Sequence, residues 1–260
     1  MFRDFIKMQI INKKLQFYMT LAADLAFSTL DKLCERLSLD EFQTIPLVSP
    51  MMPEPVGSVR IFAGDKISKV VYIGMSVPFI KLDSHMVFAF TKTDSAIPHF
   101  TLDSVNNDTT YAFHLDLIPR VDLGANLEYI DAVYGGLSDE FEKAGKIEGL
   151  TKAQLNPRQL AIMSPWMLVN RAAASAFKQI GNSVDFYLKH WFSLLENGIG
   201  AEVVSQFSAE YLAERDRKNR EIIFNPAVDK VWSQVDRLVG AETSSMMRNI
   251  LKSQSLESGI

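Results

Sequence analysis

The chain has 260 residues and one cysteine, Cys34. A single thiol excludes an intrachain disulfide and a thiolate metal cluster. Its setting, STLDKLCERL, reads as a helix in which a buried cysteine serves as a small hydrophobe. No apolar run approaches the roughly 20 residues that cross a bilayer. The opening residues, MFRDFIKMQIINKK, are basic and amphipathic but lack the apolar core and cleavage site of a secretory signal. A reducing, cytoplasm-like compartment is therefore expected. Glycine-rich phosphate loops, a GxGxxG after a strand and a Walker-type lysine are all missing, so a self-held nucleotide or flavin is not expected. The histidines, His85, His99, His114 and His190, show no HExxH or paired-helix spacing, which argues against a zinc site. The segment MSPWM is no nucleophile elbow. A net charge of -4 lacks the basic footprint of a nucleic-acid binder.

What is present is a globular composition, 47% apolar with nearly balanced charge, long enough for one domain over residues 1–260. Lys14–Leu37 carries Leu15, Met19, Leu21, Leu25, Leu30, Leu33 and Leu37 at helical spacing. The four prolines of Pro46–Pro55 make that segment a loop or a sheet edge. From Gly57 the period changes to two. GSVRIFAG, SKVVYIGMSV, HMVFAFTK, HFTLDSV and TTYAFHLDL are β-branched and aromatic runs with short links, the mark of an antiparallel meander. After Pro119 the pattern turns helical over Leu127–Tyr134, Ser138–Lys146, Ser175–Asn197, Ala201–Arg220 and Pro226–Lys252. Gly149–Pro157 reads as a polar connection, and Ile162–Ala174 as an apolar stretch broken at Ser164-Pro165. Strands followed by helices indicate α+β. With helices before and after it, the sheet can be covered on both faces.

The most informative stretch is Pro98–Arg120, two alternating runs around Asn106-Asn107. If Val105 and Asp108 close that turn, Phe100, Leu102, Tyr111, Phe113 and Leu115 share one face. His99, Thr101, Asp103, Thr110 and His114 then share the other. Aspartate is depleted in strands, so Asp103 calls for an explanation. The polar face is either a wet sheet surface or, under covering helices, the wall of a pocket. The run Glu214–Arg220 reads either as a solvated helix face with local ion pairs or as part of a site.

These residues resemble the ferredoxin-dependent bilin reductases and their relative, red chlorophyll catabolite reductase. The resemblance lies in Pro98-His99-Phe100-Thr101-Leu102-Asp103, a proline and an aromatic leading into a strand with one acid. It continues in Leu115-Asp116-Leu117-Ile118-Pro119-Arg120, in Pro157-Arg158-Gln159-Leu160 with Met163-Ser164-Pro165, and in Arg215-Asp216-Arg217-Lys218-Asn219-Arg220. It spans about Gly57 to Gly240.

The resemblance implies a three-layer α/β/α sandwich with a central antiparallel sheet. It also implies reduction of an open-chain tetrapyrrole, such as biliverdin or a red chlorophyll catabolite, by single electrons from ferredoxin. No metal or flavin would be bound, and the pigment itself would carry the radicals. A desolvated carboxyl has a raised pKa and can act as a general acid. Asp103 would be that donor from the sheet and Asp216 its counterpart from the helices. Arg158 and Arg217 would pair with the pigment's propionates.

One branch of the family has a histidine on the preceding strand. His85 is the candidate here, although its spacing to Asp103 is one residue too long, a slip that reverses side-chain direction. His99 and His114 are alternatives that the family pattern does not supply. A basic patch for an acidic ferredoxin would draw on Lys13, Lys14, Arg217, Lys218 and Arg220. The compartment would be the cytoplasm, or the plastid stroma if an import segment has been removed. A non-catalytic tetrapyrrole or lipid carrier on the same framework, or a purely structural interaction protein, are the competing readings. Only the enzyme requires two buried carboxyls.

Overall fold

Six strands in sequence order, joined by hairpins, build most of one antiparallel sheet in the computed structural model, which describes residues 20–256. They are β1 (Asp40–Ser49), β2 (Met52–Ala63), β3 (Lys69–Val77), β4 (Leu82–Phe90), β5 (His99–Asn107) and β6 (Thr110–Ile118). Two short strands, β7 (Leu150–Lys152) and β8 (Leu168–Ala172), complete it in the order β1-β2-β3-β4-β5-β6-β8-β7. The proline-rich segment forms the β1–β2 hairpin, and β1 is an edge strand, where a residue without an N–H is tolerated. The strands β7 and β8 lie in segments expected to be a connection and an irregular apolar stretch. They are too short to display a period against their surroundings.

A helix, α1 (Leu21–Leu37), precedes the sheet and is capped by the Thr20 hydroxyl, which accepts from the Ala23 N–H. The start of the expected helix at Lys14, with Leu15 and Met19, lies outside the described residues, as do Lys13 and Lys14 of the suggested basic patch. After the sheet come α2 (Leu127–Tyr134), α3 (Ser138–Ala144), the short α4 (Pro157–Leu160) and α5 (Ala174–Phe177), and the long α6 (Ile180–Asn197). The chain then forms α7 (Ala201–Val204), α8 (Ala209–Ile223), α9 (Val231–Val239) and α10 (Ala241–Lys252). What the spacing suggests as one helix over Pro226–Lys252 is two, divided at Gly240, whose φ of 83° most side chains would avoid.

The sheet is buried on both sides. One face packs Phe100, Leu102, Phe113 and Leu115 against α1, α2 and α6, with Trp191 of α6 at the centre. The other packs Val71, Ile73, Met86 and Phe88 against Ile223, Phe224, Trp232, Val235 and Met247 from α8, α9 and α10. The architecture is thus a three-layer α/β/α sandwich of the α+β class, as expected.

In the central hairpin Asn107 pairs with Thr110, so the turn is Asp108-Thr109, with Asp108 at φ 58°. Aspartate tolerates this left-handed region better than most residues. The turn therefore lies two residues beyond the expected Asn106-Asn107. A two-residue displacement preserves side-chain direction, so the two faces are those expected from the alternation. It also sets Asp103 directly opposite His114.

The pairing of β2 with β3 leaves no room at Gly57, where a Cβ would lie 1.8 Å from the Gly74 carbonyl oxygen. Gly57→Ala is expected to lower stability by about 1–3 kcal/mol, the usual cost of overpacking. Urea unfolding checks this, and an unchanged midpoint would contradict the close approach.

Candidate functional site

The face that carries Asp103 does not pack tightly along its whole length. Between β3–β6 and β8 on one side and α9 with the end of α8 on the other lies a chamber of about 280 Å³. That is the lower end of the roughly 300–1,000 Å³ typical of ligand pockets. Its wall is mostly apolar, with Met86, Phe88, Ile162, Met163, Phe224 and Trp232 prominent. The titratable groups that line it are Asp103, His114 and Asp229; no lysine or arginine does.

Asp103 and His114 stand side by side across β5 and β6, with Nδ1 of His114 3.7 Å from Oδ2 of Asp103. Asp103 Oδ1, His114 Nε2 and the neighbouring Thr101 Oγ1 are each buried without a hydrogen-bond partner among the described residues. Buried polar atoms are nearly always satisfied, because leaving one unpaired costs about 1–3 kcal/mol. Three such atoms belong to residues that line the chamber, and Gln43 Oε1, Arg120 Nε and Arg220 Nη2 are likewise without a partner away from it. Burial works against the charged form of His114, but the Asp103 carboxylate, helped by Asp116 and Asp229, outweighs it and raises the imidazole's pKa. The pair therefore tends to hold a proton on His114.

A second polar device shapes the chamber. Asp116, fully buried on β6, accepts from both the backbone N–H and the hydroxyl of Ser164. This ties the Ile162–Met167 loop, three of whose residues line the chamber, to the sheet. Two motifs read separately in the sequence, Leu115–Arg120 and Met163-Ser164-Pro165, are thus joined by direct hydrogen bonds.

The remaining predicted residues divide sharply. His99 shares the Asp103 face but lies four positions along the strand, roughly 13 Å away. There its Nε2 is 2.6 Å from Oδ1 of Asp216. Its Nδ1 accepts from the Thr91 backbone N–H at 3.0 Å, so the proton sits on Nε2 and the ring is neutral. Burial opposes charging of this ring, and its pKa is held down to about 3 despite the neighbouring Asp216.

Asp216 is fully buried. It accepts from Arg220 Nε at 3.1 and 3.0 Å and from the Gln254 side chain at 2.8 Å, with Arg120 Nε at 3.8 Å. Burial alone would raise its pKa. His99, Arg220 and Arg120 together hold it far below the usual carboxylate range. Phe90 is packed against His99, Phe224 and the Arg220 guanidinium, and neither His99 nor Asp216 lines the chamber. Asp216, expected as the helix-side proton donor, is thus an ionised carboxylate within a buried network outside the chamber, in which Arg120 Nε and Arg220 Nη2 have no hydrogen-bond partner among the described residues.

His85 points the other way. It pairs with Ser104, and Met86 pairs with Asp103, so the extra residue in the spacing does reverse its direction. On the α1 side of the sheet it contacts the Tyr72 hydroxyl at 2.7 Å and Asp83 at 3.0 Å. It is a correction to the predicted site. Arg217 is exposed and paired with Glu214 on the outer side of α8. Arg158 is also on the surface, its guanidinium donating to the Ala227 carbonyl, and its neighbour Gln159 lines the chamber. The run Glu214–Arg220 is thus both things at once: Glu214, Arg217 and Lys218 form exposed pairs, while Asp216, Asn219 and Arg220 are buried. Asp229, on the helix side of the chamber, was not singled out from the sequence because its stretch, FNPAVDKVW, shows only a polar turn before a helix.

No protein-family model matches the chain, and no curated protein matches it. Among solved structures, a phytochromobilin synthase from tomato in complex with biliverdin matches with a TM-score of 0.69. The identity is 14%, and the match covers 91% of this chain and 84% of that one. The chain shares the fold of that structure. Among the described residues no helix is long and apolar enough to cross a membrane.

Breaking a buried ion network by removing one partner costs about 3–5 kcal/mol. Asp216→Asn is therefore expected to lower stability on that scale. A stable variant that had lost only turnover would restore Asp216 as a proton donor. Because folding lowers the pKa of His99, the unfolded chain takes up a proton first as the pH falls. Stability should decline from the ordinary imidazole value of 6.5 downwards, and further below 3.8, where the unfolded chain's Asp216 takes up a proton that the folded one still refuses. Urea midpoints across this range test the sign; a rise on acidification would contradict it.

Proposed function

We propose that the protein reduces a linear tetrapyrrole bound in the chamber between the sheet and α8–α9. The reading is carried by one observation: Asp103 Oδ1, His114 Nε2 and Thr101 Oγ1 are unpartnered on the wall of an apolar chamber. The fold shared with a protein solved in complex with biliverdin supplies the class of ligand. A tetrapyrrole offers N–H and carbonyl groups along its length and apolar faces on either side, which complements such a wall.

Electrons come singly from a reduced ferredoxin, and the conjugated pigment holds the unpaired electron between transfers. The protein's part is then to bind, to exclude water and to deliver protons. His114, kept protonated by Asp103, gives the proton from Nε2, the ring nitrogen that has no partner among the described residues. Asp103 stabilises the imidazolium before transfer and orients it through Nδ1, and its free Oδ1 holds an N–H of the ligand. Arg158 stands outside the chamber, where it can meet the ligand's carboxylates without burying them.

Purified protein, biliverdin and a ferredoxin-reducing system should give a shifted pigment spectrum with transient radical features. Asp103→Asn and His114→Gln are each expected to slow that reaction by about 100-fold or more while pigment still binds. Pigment bound but recovered unchanged would favour a carrier, and no binding would contradict the reading. The rate should fall as the pH rises through the pKa of His114, above 6.5, because the donor is the imidazolium. A rate that rises there would place the proton elsewhere.

A further inference from the structure

The turns at the end of a sheet normally carry glycine, asparagine, aspartate or serine, which suit both water and the turn geometry. Two turns of this sheet depart from that rule at the same end. In an antiparallel meander successive turns alternate between ends, so the β1–β2 and β3–β4 turns share one end with the β5–β6 turn. The β1–β2 tip exposes Val48 and Met51, at 56% and 49%, and the β3–β4 tip exposes Phe79 and Ile80, at 58% and 41%. The latter pair rides on a single 3-10 turn, Pro78–Ile80, closed by Lys81 at φ 54°. That turn is braced from the side. The Asp108 N–H donates to the Lys81 carbonyl at 3.1 Å, and Lys81 Nζ pairs with the Asp108 carboxylate at 3.0 Å.

The same end is where the chain enters α1, because the Thr20 hydroxyl at its N-cap donates to Asp83 at the start of β4. The residues before Thr20 include Arg3, Lys7, Lys13 and Lys14 against the single acid Asp4, interleaved with phenylalanine and isoleucine. The folded end itself is close to balanced: Lys81 is paired with Asp108, and Glu54 and Arg237 are exposed with opposite signs. The chamber wall also reaches this end, through Leu82 beside the β3–β4 turn and Leu238, whose carbonyl accepts from Ser49 Oγ at 2.6 Å.

Apolar tips on a braced sheet end, with a cationic segment entering beside them, fit a partner that is apolar within and negatively charged outside. A second copy of this chain would bring the same cations and repel them. We propose that this end of the molecule docks on an anionic lipid surface. Val48, Met51, Phe79 and Ile80 enter the acyl boundary, and the cations that precede Thr20 meet the headgroups. The molecule lies on the bilayer without crossing it. This docking is independent of the reaction in the chamber, and it brings lipid next to the chamber wall.

Flotation of the purified 260-residue chain with lipid vesicles tests the docking, with no pigment or reductant present. The protein should float with vesicles that contain phosphatidylglycerol, bind phosphatidylcholine alone far more weakly, and be released by salt. Phe79→Ser combined with Ile80→Ser should weaken binding by about tenfold or more. Both side chains are exposed, so the fold tolerates the change. Lys13→Gln and Lys14→Gln should each weaken binding by about fivefold. Phe79→Trp adds a direct signal: the emission of the new indole should move to the blue when anionic vesicles are added. Absence of flotation with anionic vesicles overturns the proposal. Flotation that the Phe79 and Ile80 double variant keeps in full, with no blue shift in Phe79→Trp, overturns it too, since the cations alone would then be responsible. Concentration-dependent dimerisation that Phe79→Ser abolishes would assign the tips to a second copy and overturn it as well.

Discussion

The register of β5 against β6 is the constraint from which the rest of the site follows. It places an aspartate and a histidine opposite each other on a face that helices then cover. In water such a pair would be unremarkable. Beneath α8 and α9, one polar atom of each loses solvent and gains no partner among the described residues, the partner that the proposed ligand would supply. A shift of one residue in this hairpin would turn Asp103 and His114 into the opposite core and bring Leu102 and Phe113 into the chamber.

The same sheet face carries a second acid–imidazole contact with the opposite character. At Asp103–His114 one polar atom of each side chain is unpartnered among the described residues and the imidazole is inclined to be charged. At Asp216–His99 both carboxylate oxygens are hydrogen-bonded, the imidazole is neutral and the carboxylate is ionised among Arg120, Arg220 and Gln254, while Arg120 Nε and Arg220 Nη2 have no hydrogen-bond partner among the described residues. Phe90 and Phe224 separate the two, and Phe224 also lines the chamber. The buried ion network holds α8 on the sheet and so fixes the wall of the open site. One contact supplies rigidity and the other supplies a place for chemistry.

Much of this was legible in the alternation of residues 98–120. The period-2 pattern gave the two faces even though the turn lies two residues later, because an even displacement leaves direction intact. The covering of both faces followed from the order of elements. The spacing of His85 showed its one-residue discrepancy in the sequence, and the structure gives that discrepancy its meaning. The fate of Asp216 was not legible: a charged helical run looks alike whether its acid meets solvent, a ligand or Arg120 from a distant loop. Asp229 was invisible for a related reason, since only the approach of α9 to the sheet brings it within range of Asp103 and His114. Long-range electrostatics, not local pattern, decided both.

The central claim is that the ligand meets His114 Nε2 and leaves the other buried histidines untouched. Nitrogen-15 NMR of the imidazoles during titration with biliverdin tests it most directly. The account predicts a large change at His114 Nε2 and none at His99 or His85. A change at His85 with His114 unaffected would put the ligand on the other face of the sheet and contradict the account.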